Sequence, residues 1–132
     1  MTDQDERVKK GRALAARLFA GSTGKRSPMP AKMQDYTFGH LFGDVWQGKD
    51  LALEERSLLT CTTLVALNRT AEQNLHFLGA KNLGIPRAKM EAMIAHVAHY
   101  AGWPCAASAF QVLNEVWPAE AEVASGSSGA QV

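Results

Sequence analysis

The chain has 132 residues, which is enough for one domain of ordinary size and leaves little room for a second. Hydrophobic residues make up 46% and charged residues 20%, a composition typical of globular proteins and not of disordered or fibrous ones. Lysine and arginine total 14 against 13 aspartates and glutamates, and this balance argues against a nucleic-acid or anionic-membrane binding protein.

The number of cysteines and the hydropathy of the sequence indicate the cellular compartment. Cys61 and Cys105 form no CxxC pair, and two cysteines are too few for a disulfide framework, so we expect buried free thiols. No apolar run approaches the roughly 20 residues that span a bilayer. The start, MTDQDERVKK, is charged and is not followed by the apolar core of a signal peptide. We therefore expect a cytoplasmic protein.

The first two predicted elements are helices. Alanine, leucine, glutamate and methionine dominate the periodic segments, and β-branched residues form no alternating runs. The first helix is predicted over about 5–19, and the segment 20–30 ends it with two glycines and two prolines. A second helix is predicted over about 32–46.

The third helix is predicted over about 53–67 and opens with acidic residues, which suit a helix N-terminus. The fourth is predicted over 71–83, with Thr70 as its N-cap and Gly84 just beyond its end.

The last two helices each have a proline at their start, where the missing N–H leaves no hydrogen bond unmade. The fifth follows Pro86 and covers 87–101, and the sixth contains Pro104 and covers 103–117.

The predicted fold is all-α, a small bundle of about six helices. We expect a single domain over residues 1–117 and a flexible tail over 118–132, because the end of the chain is small and polar. Helices four to six are short and alanine-rich, with apolar residues on more than one side. Such helices often pack against a neighbouring subunit, so we expect a homo-oligomer.

Residues 43–117 contain, in order, the stretches GDVW, ERSLLT, ALNR, LHFLGAKNLGI and YAGWPCAASAF. These stretches and their spacing resemble the carboxymuconolactone decarboxylase family, within the alkyl hydroperoxidase D-like superfamily. RVKKGRALAARLF and YTFGHLFGDVW resemble the lead-in helices of the decarboxylase branch. The resemblance implies an alkyl hydroperoxidase D-like bundle assembled as a trimer or hexamer. It also implies a small-molecule substrate and no cofactor.

The second branch of the family carries a CxxC motif followed by a histidine four residues after the second cysteine. His76 falls at that histidine, so the two cysteine positions fall at Arg69 and Glu72. A peroxidase of that kind needs a reactive thiolate with a resolving thiol beside it. Cys61 and Cys105 do not replace these thiols by spacing, which argues against peroxidase activity.

Glu72 and His76 are four residues apart in the fourth predicted helix, so both side chains share one face. One interpretation is a solvated surface pair. The other is an acid and a base for proton transfer, since burial would lower the imidazole pKa and a neighbouring carboxylate would raise it. The family resemblance carries both residues and implies that they are catalytic.

Three further residues are candidates for substrate binding. Arg56 could clamp a substrate carboxylate, or it could be an exposed arginine paired with Glu54 or Glu55. Arg69 lies two helical turns before His76 and has the same two interpretations. Trp46 is a core aromatic or a wall of the pocket.

His96 and His99 form an HxxH pattern on one helix face. A zinc site would need further ligands, and His40 or Glu91 would have to supply them, so we predict no metal site. Histidines on a helix face or at a subunit interface are the simpler interpretation. Trp103 is expected in the core or at an interface.

The family resemblance implies a cofactor-independent decarboxylase of a small lactone acid, similar to the 4-carboxymuconolactone decarboxylases of aromatic-acid breakdown. The alternatives are a family member with a different small carbonyl or lactone substrate, or a non-enzymatic oligomeric binding protein. Phe77, Leu78 and Lys81 stand where decarboxylases more often show the arginine-containing LHVRGALNNGV. That departure removes a possible carboxylate contact and leaves the substrate open.

Overall fold

The computed structural model describes residues 2–24 and 26–119. Within these ranges every regular element is helical, which confirms the predicted all-α fold. The six α-helices are α1 Asp3–Leu18, α2 Ala31–Gln34, α3 Leu53–Ala66, α4 Thr70–Asn82, α5 Arg87–Ala101 and α6 Trp103–Val116. None of them is both long and apolar enough to cross a bilayer. Residues 120–132 of the predicted tail lie outside the described residues.

The predicted limits of α3 to α6 agree with the structure to within one residue at each end. Glycine and proline explain this accuracy. Gly84 and Gly102 adopt φ angles of 87° and 111°, in a region that side chains disfavour, and they follow α4 and α5. Thr70 is the first residue of α4 and Arg69 occupies the cap position, one residue before the predicted N-cap.

The predicted second helix, 32–46, is wrong beyond its first turn. After α2 the chain continues as a π-helix over Asp35–Leu41, and a separate 3-10 turn covers Val45–Gln47. The amide of Phe42 donates to the carbonyl of Thr37, five residues back, so the turns are wider than those of an α-helix.

The backbone of the π-helix and of the residues after it packs closely against the backbone of α1. A Cβ atom on Gly11 of α1 would lie 1.7 Å from the carbonyl oxygen of Phe38, and one on Gly43 would lie 2.1 Å from the carbonyl oxygen of Arg7. Only glycine fits at either position. The periodicity of apolar residues carries no information about such backbone contacts. The sequence pattern therefore predicted an ordinary α-helix through this segment.

The interior has two apolar clusters. The larger lies among α3, α4, α5 and α6 and contains Cys61, Val65, Phe77, Ala80, Ile85, Met90, Met93, Ile94, Val97, Ala98, Ala106, Ala109, Val112 and Leu113. The smaller lies under α1 and contains Leu14, Ala15, Leu18, Phe42, Trp46 and Leu83. Trp46 is therefore a core residue, as one of its two interpretations predicted.

Helix α4 joins the two clusters. Phe77 points into the larger one, whereas His76 and Gly79 face α1, where they contact Phe19 and Leu18. The amide of Asn82 donates to the carbonyl oxygens of Leu18 and Ala20, at 2.8 and 2.9 Å. These bonds fix the beginning of the loop that follows α1 beside the end of α4.

Candidate functional site

A cavity of about 540 Å³ lies where α4, the loop after α1 and the end of α6 meet. Its lining mixes polar groups with the leucines of α4 and includes two carboxylates and one guanidinium. The lining residues are Gly21, Ser22, Thr23, Gly24, Arg26, Ala71, Glu72, Asn74, Leu75, Leu78, Glu115 and Val116. A concave site of this size with a few polar groups suits a small organic ligand.

Glu72 lines this cavity from the first turn of α4, and its carboxylate is paired with Arg69. Nε and Nη2 of Arg69 donate to the two carboxylate oxygens of Glu72, at 3.1 Å each. Hydrogen bonding from Arg69 lowers the pKa of Glu72, so the carboxylate stays ionised. Both side chains are well exposed, at 44% and 60%, and water screens the pair, which limits its contribution to stability.

His76 lies one turn further along α4 and is partly buried. Its ring meets Phe19 edge-to-face, with centroids 5.3 Å apart and planes at 88°. Burial lowers the pKa of His76, the Arg26 cation lowers it further, and the Glu72 carboxylate opposes both. The net direction is downward, so the imidazole is neutral at neutral pH.

The acid–base pair predicted from the sequence thus takes a three-residue form. Glu72 acts on His76 through its charge, while its hydrogen bonds go to Arg69. The carbonyl oxygen of His76 accepts a hydrogen bond from the Cys61 thiol at 3.4 Å. Within the described residues no hydrogen bond engages either ring nitrogen of His76. His76 is not among the residues that line the cavity beside Glu72.

Arg26 is absent from the predicted site residues, yet it lines the cavity beside Glu72. Its guanidinium carbon lies 5.4 Å from the centroid of Phe19, the ring that also contacts His76. In the sequence, the positive charge of Arg26 within the segment 20–30, which consists mostly of small residues, is the signal that could have identified it as a site residue. The sequence does not show that this loop folds back on α4. Hydrogen bonds from the side chain of Asn82 to backbone carbonyls hold the loop there, and a backbone carbonyl can belong to any residue type.

Arg56 and Trp46 lie together at a different place. Nη2 of Arg56 donates to the carbonyl oxygen of Gly48 at 3.2 Å, directly after the Val45–Gln47 turn. Glu55 accepts from the amide of Ala52 at 2.8 Å, and within the described ranges Arg56 forms no ion pair. Nε of Arg56 is buried and has no hydrogen-bond partner there.

Trp46 lines a separate cavity of about 490 Å³ with residues of α1, and neither it nor Arg56 lines the cavity beside Glu72. A row of aromatic contacts nevertheless links Trp46 to His76. Trp46 contacts Phe42 with centroids 5.5 Å apart, and Phe42 contacts Phe19 at 5.9 Å. The structure therefore brings Glu72, His76 and Arg69 together and places Arg56 and Trp46 elsewhere.

The cysteines are free, as predicted, and they do not form a redox pair. Cys61 is fully buried in the larger cluster, and burial raises the pKa of its thiol to about 12. A thiol held in its neutral form is a poor nucleophile. Cys105 is partly exposed, so the expectation that both thiols are buried is wrong for it, and its sulfur lies 3.6 Å from the carbonyl oxygen of Ala101.

His96 and His99 are exposed on α5 and make aromatic contacts. His96 lies against Tyr100 and His99 against Trp103, each with centroids 5.0 Å apart. Trp103 is 65% exposed, so it is not a core residue, and the other alternative, an interface position, stays a prediction. Among residues 2–24 and 26–119, histidine, cysteine, aspartate and glutamate form no cluster of three or more that could hold a metal ion.

A family model matches a large part of this chain. It describes the carboxymuconolactone decarboxylase family and matches residues 31–115, well over half of the chain. The chain belongs to the carboxymuconolactone decarboxylase family. The resemblance stated from the sequence motifs is thereby confirmed. Glu72, His76, Arg69 and Arg56 lie inside the matched range, whereas Arg26 and α1 lie before it.

Two relatives of known name are similar to this member of the carboxymuconolactone decarboxylase family. A 4-carboxymuconolactone decarboxylase of Acinetobacter baylyi is 31% identical over 84 residues, covering 64% of this chain and 63% of the relative. This chain therefore spans less than two thirds of that relative. The nitrosuccinic acid decarboxylase npaB of Metarhizium robertsii is 27% identical over 113 residues, covering 86% of this chain and 78% of the relative.

Proposed function

We propose that this chain is a decarboxylase of a small lactone acid and resembles 4-carboxymuconolactone decarboxylases of aromatic-acid breakdown. The observation that carries the proposal is the setting of His76, a partly buried imidazole that contacts Phe19 and whose pKa the Arg26 cation lowers and the Glu72 carboxylate raises. Two relatives that differ in their named acids are both named decarboxylases, which supports the reaction more strongly than any one substrate.

The chemistry needs little from the protein. Loss of carbon dioxide breaks the bond to the carboxylate carbon, and the electron pair passes into the unsaturated lactone. A proton must then reach carbon to complete the product. The protein has to hold the acid, limit water around the reacting atoms and supply this proton.

We assign proton delivery to His76. Because its pKa is lowered, the imidazole is neutral in the free protein, and a negatively charged substrate beside it favours the protonated form. The imidazolium then donates to carbon and is reprotonated from solvent. Glu72 stabilises the imidazolium through its charge, and Arg69 keeps Glu72 ionised and in place.

A carbon dioxide release assay on 4-carboxymuconolactone and nitrosuccinic acid tests the reaction. We expect one equivalent of carbon dioxide for each equivalent of acid consumed, and no turnover of a hydroperoxide by the same preparation. An acid that raises the melting temperature without being consumed would indicate a binding protein, because ligand binding to the native state stabilises it. Rapid hydroperoxide turnover would contradict the assignment to the decarboxylase branch.

We also propose that the chain forms a homo-oligomer, a trimer or a hexamer. Several large apolar side chains are exposed in the single chain, among them Tyr100 at 81%, Trp103 and Leu67 at 65%, and Leu59 at 53%. Large exposed apolar side chains of this kind are often covered at subunit interfaces.

Light scattering should therefore give a mass several times the 14.3 kDa of one chain at micromolar concentration. Replacing Trp103 with serine should shift the mass towards that of a smaller assembly, because it removes apolar contact area without touching the buried clusters. A monomeric mass for the unaltered protein would overturn this proposal.

A further inference from the structure

Phe19 directly follows α1 as its C-cap residue, and its ring packs against α4. The ring lies edge-to-face with His76, at a centroid distance of 5.3 Å and an interplanar angle of 88°. It also lies edge-to-face with Phe42, at 5.9 Å and 78°. Among the described residues no hydrogen bond engages a ring nitrogen of His76, so packing sets the plane of the imidazole, and Phe19 supplies the aromatic contact.

The backbone on both sides of Phe19 is fixed to α4. The side-chain amide of Asn82 donates to the carbonyl oxygens of Leu18 and Ala20, the two residues that flank Phe19. A Cβ atom on Gly79 of α4 would lie 3.6 Å from Cε1 of Phe19, so the ring lies close to the backbone of α4. These contacts hold the ring in one place relative to the helix that carries His76.

Phe19 also lies between the imidazole and a second space. A cleft of about 300 Å³ lies between α1, the π-helix and the loop after α1, and Phe19 is part of its lining. His76 lines neither this cleft nor the cavity beside Glu72. Because one ring both lines the cleft and contacts the imidazole, it shields the imidazole from solvent in the cleft.

The same ring contacts a charge that acts on His76. The guanidinium carbon of Arg26 lies 5.4 Å from the centroid of Phe19, within the range of a cation–π contact. The charged groups that act on His76 are this cation and the Glu72 carboxylate of its own helix. Burial and the Arg26 cation lower the pKa of His76. Phe19 contributes to both causes, since it covers the imidazole and contacts the guanidinium.

We propose that Phe19 is a positioning residue for His76, and that its ring fixes the plane of the imidazole and shields it from solvent. This inference rests on the proposed decarboxylase function, in which His76 delivers the proton. Proton transfer to carbon is fast only when the donor is held in the productive direction, which packing around its side chain ensures. Phe19 lies before the range matched by the family model.

The titration of His76, followed by NMR, tests this role without any turnover. The His76 signal is identified by its absence from the spectrum of His76→Ala. Phe19→Leu keeps apolar bulk against α4 but lacks the flat ring that covers the imidazole and contacts Arg26. Both losses act in the same direction, so His76 should titrate at higher pH in Phe19→Leu, and at still higher pH in Phe19→Ala.

Phe38→Leu is the matched control. Phe38 lines the same cleft, packs against the same apolar cluster and also lies against an arginine, with the guanidinium carbon of Arg12 4.3 Å from its centroid. Its aromatic contacts do not include His76. Phe38→Leu should therefore leave the titration of His76 where it is in the unaltered protein.

The kinetic test uses the acid that releases carbon dioxide in the assay above. Phe19→Leu should lower kcat about tenfold, because the proton donor is no longer held in one direction. KM should change only a few-fold, since Phe19 does not line the cavity beside Glu72. The alkaline limb of kcat/KM should move to higher pH, because activity falls as pH rises through the pKa of His76.

An unchanged titration of His76 in both Phe19 variants, or an equal shift in Phe38→Leu, would overturn the inference. The expected shift of the titration with no decarboxylation of any acid would instead overturn the proposed reaction. The action of Phe19 on His76 would then still stand, because the titration does not depend on turnover.

Discussion

Replacing His76 with alanine is expected to lower kcat about 100-fold, the usual scale for loss of a general acid. The imidazole is the proposed source of the proton that completes the product, and alanine cannot supply it. The side chain is only partly buried and contacts Phe19 at its edge, so the fold and the subunit assembly should survive. Turnover, circular dichroism and solution mass, measured on one preparation, separate the two effects.

His99→Ala is the matched control. His99 is exposed on α5, its Nδ1 lies 2.8 Å from the carbonyl oxygen of Ala95, and its ring contacts Trp103. This variant should keep kcat within a few-fold of the unaltered protein. A His76→Ala variant with nearly full activity would show that the imidazole serves packing, and the site assignment would then be wrong.

The pH dependence gives the same prediction a second readout. Glu72 raises the pKa of His76, so Glu72→Gln should lower it, and the unpaired Arg69 cation adds to that effect. The protonated imidazole is the donor, so activity falls as pH rises through the pKa of His76. The alkaline limb of the rate profile should therefore move to lower pH in Glu72→Gln.

Two pH–rate profiles of the unaltered protein show whether His76 takes up its proton when the substrate binds. The profile of kcat/KM reports the free protein, in which the pKa of His76 is lowered, and the profile of kcat reports the substrate complex. A bound anion raises the pKa of a neighbouring imidazole. The alkaline limb of kcat should thus lie at higher pH than that of kcat/KM, and coincident limbs would contradict uptake of the proton with substrate.

The accuracy of the sequence-based fold prediction varied along the chain for physical reasons. Helices α3 to α6 were predicted closely because local chemistry ends them: Gly84 and Gly102 adopt positive φ angles, and Pro86 and Pro104 lie at helix starts. The π-helix over Asp35–Leu41 was not predicted. Its geometry goes with a backbone contact between Gly11 and Phe38, residues far apart in sequence.

Part of the candidate site could likewise be predicted from local sequence, and part of it depends on contacts between distant residues. Glu72 and His76 share a helix face because of their spacing, and this much is local. Whether Glu72 bonds to His76 or to Arg69 depends on the backbone at the start of α4, where Arg69 is the cap residue and not part of the helix. The position of Arg26 in the site depends on the path of the loop after α1. Contacts between α4 and the end of α1 determine that path.

Replacing Gly11 with alanine should destabilise the protein severely, against the usual effect of this change. In a helix interior, glycine to alanine normally stabilises by about 1 kcal/mol. Here the new methyl group would lie 1.7 Å from the carbonyl oxygen of Phe38 and 2.9 Å from the amide nitrogen of Gly43. Both atoms belong to backbone and cannot rotate away, so α1 and the π-helix must separate.

Overpacking of this kind costs about 3 kcal/mol, the upper part of the usual range. For a chain of this length that corresponds to a fall in melting temperature of roughly 10 °C. The separation would also move Phe38 away from the Arg12 guanidinium, whose central carbon lies 4.3 Å from the centroid of that ring.

Gly24→Ala is the matched control, because a Cβ atom there would meet nothing within 4 Å and its φ angle is not in the left-handed region. Thermal unfolding of the two variants should be followed at equal protein concentration, since the stability of an oligomer depends on concentration. Gly24→Ala should unfold within a few degrees of the unaltered protein. If Gly11→Ala did the same, the close contact between α1 and the π-helix would be wrong, and with it the contact between Arg12 and Phe38.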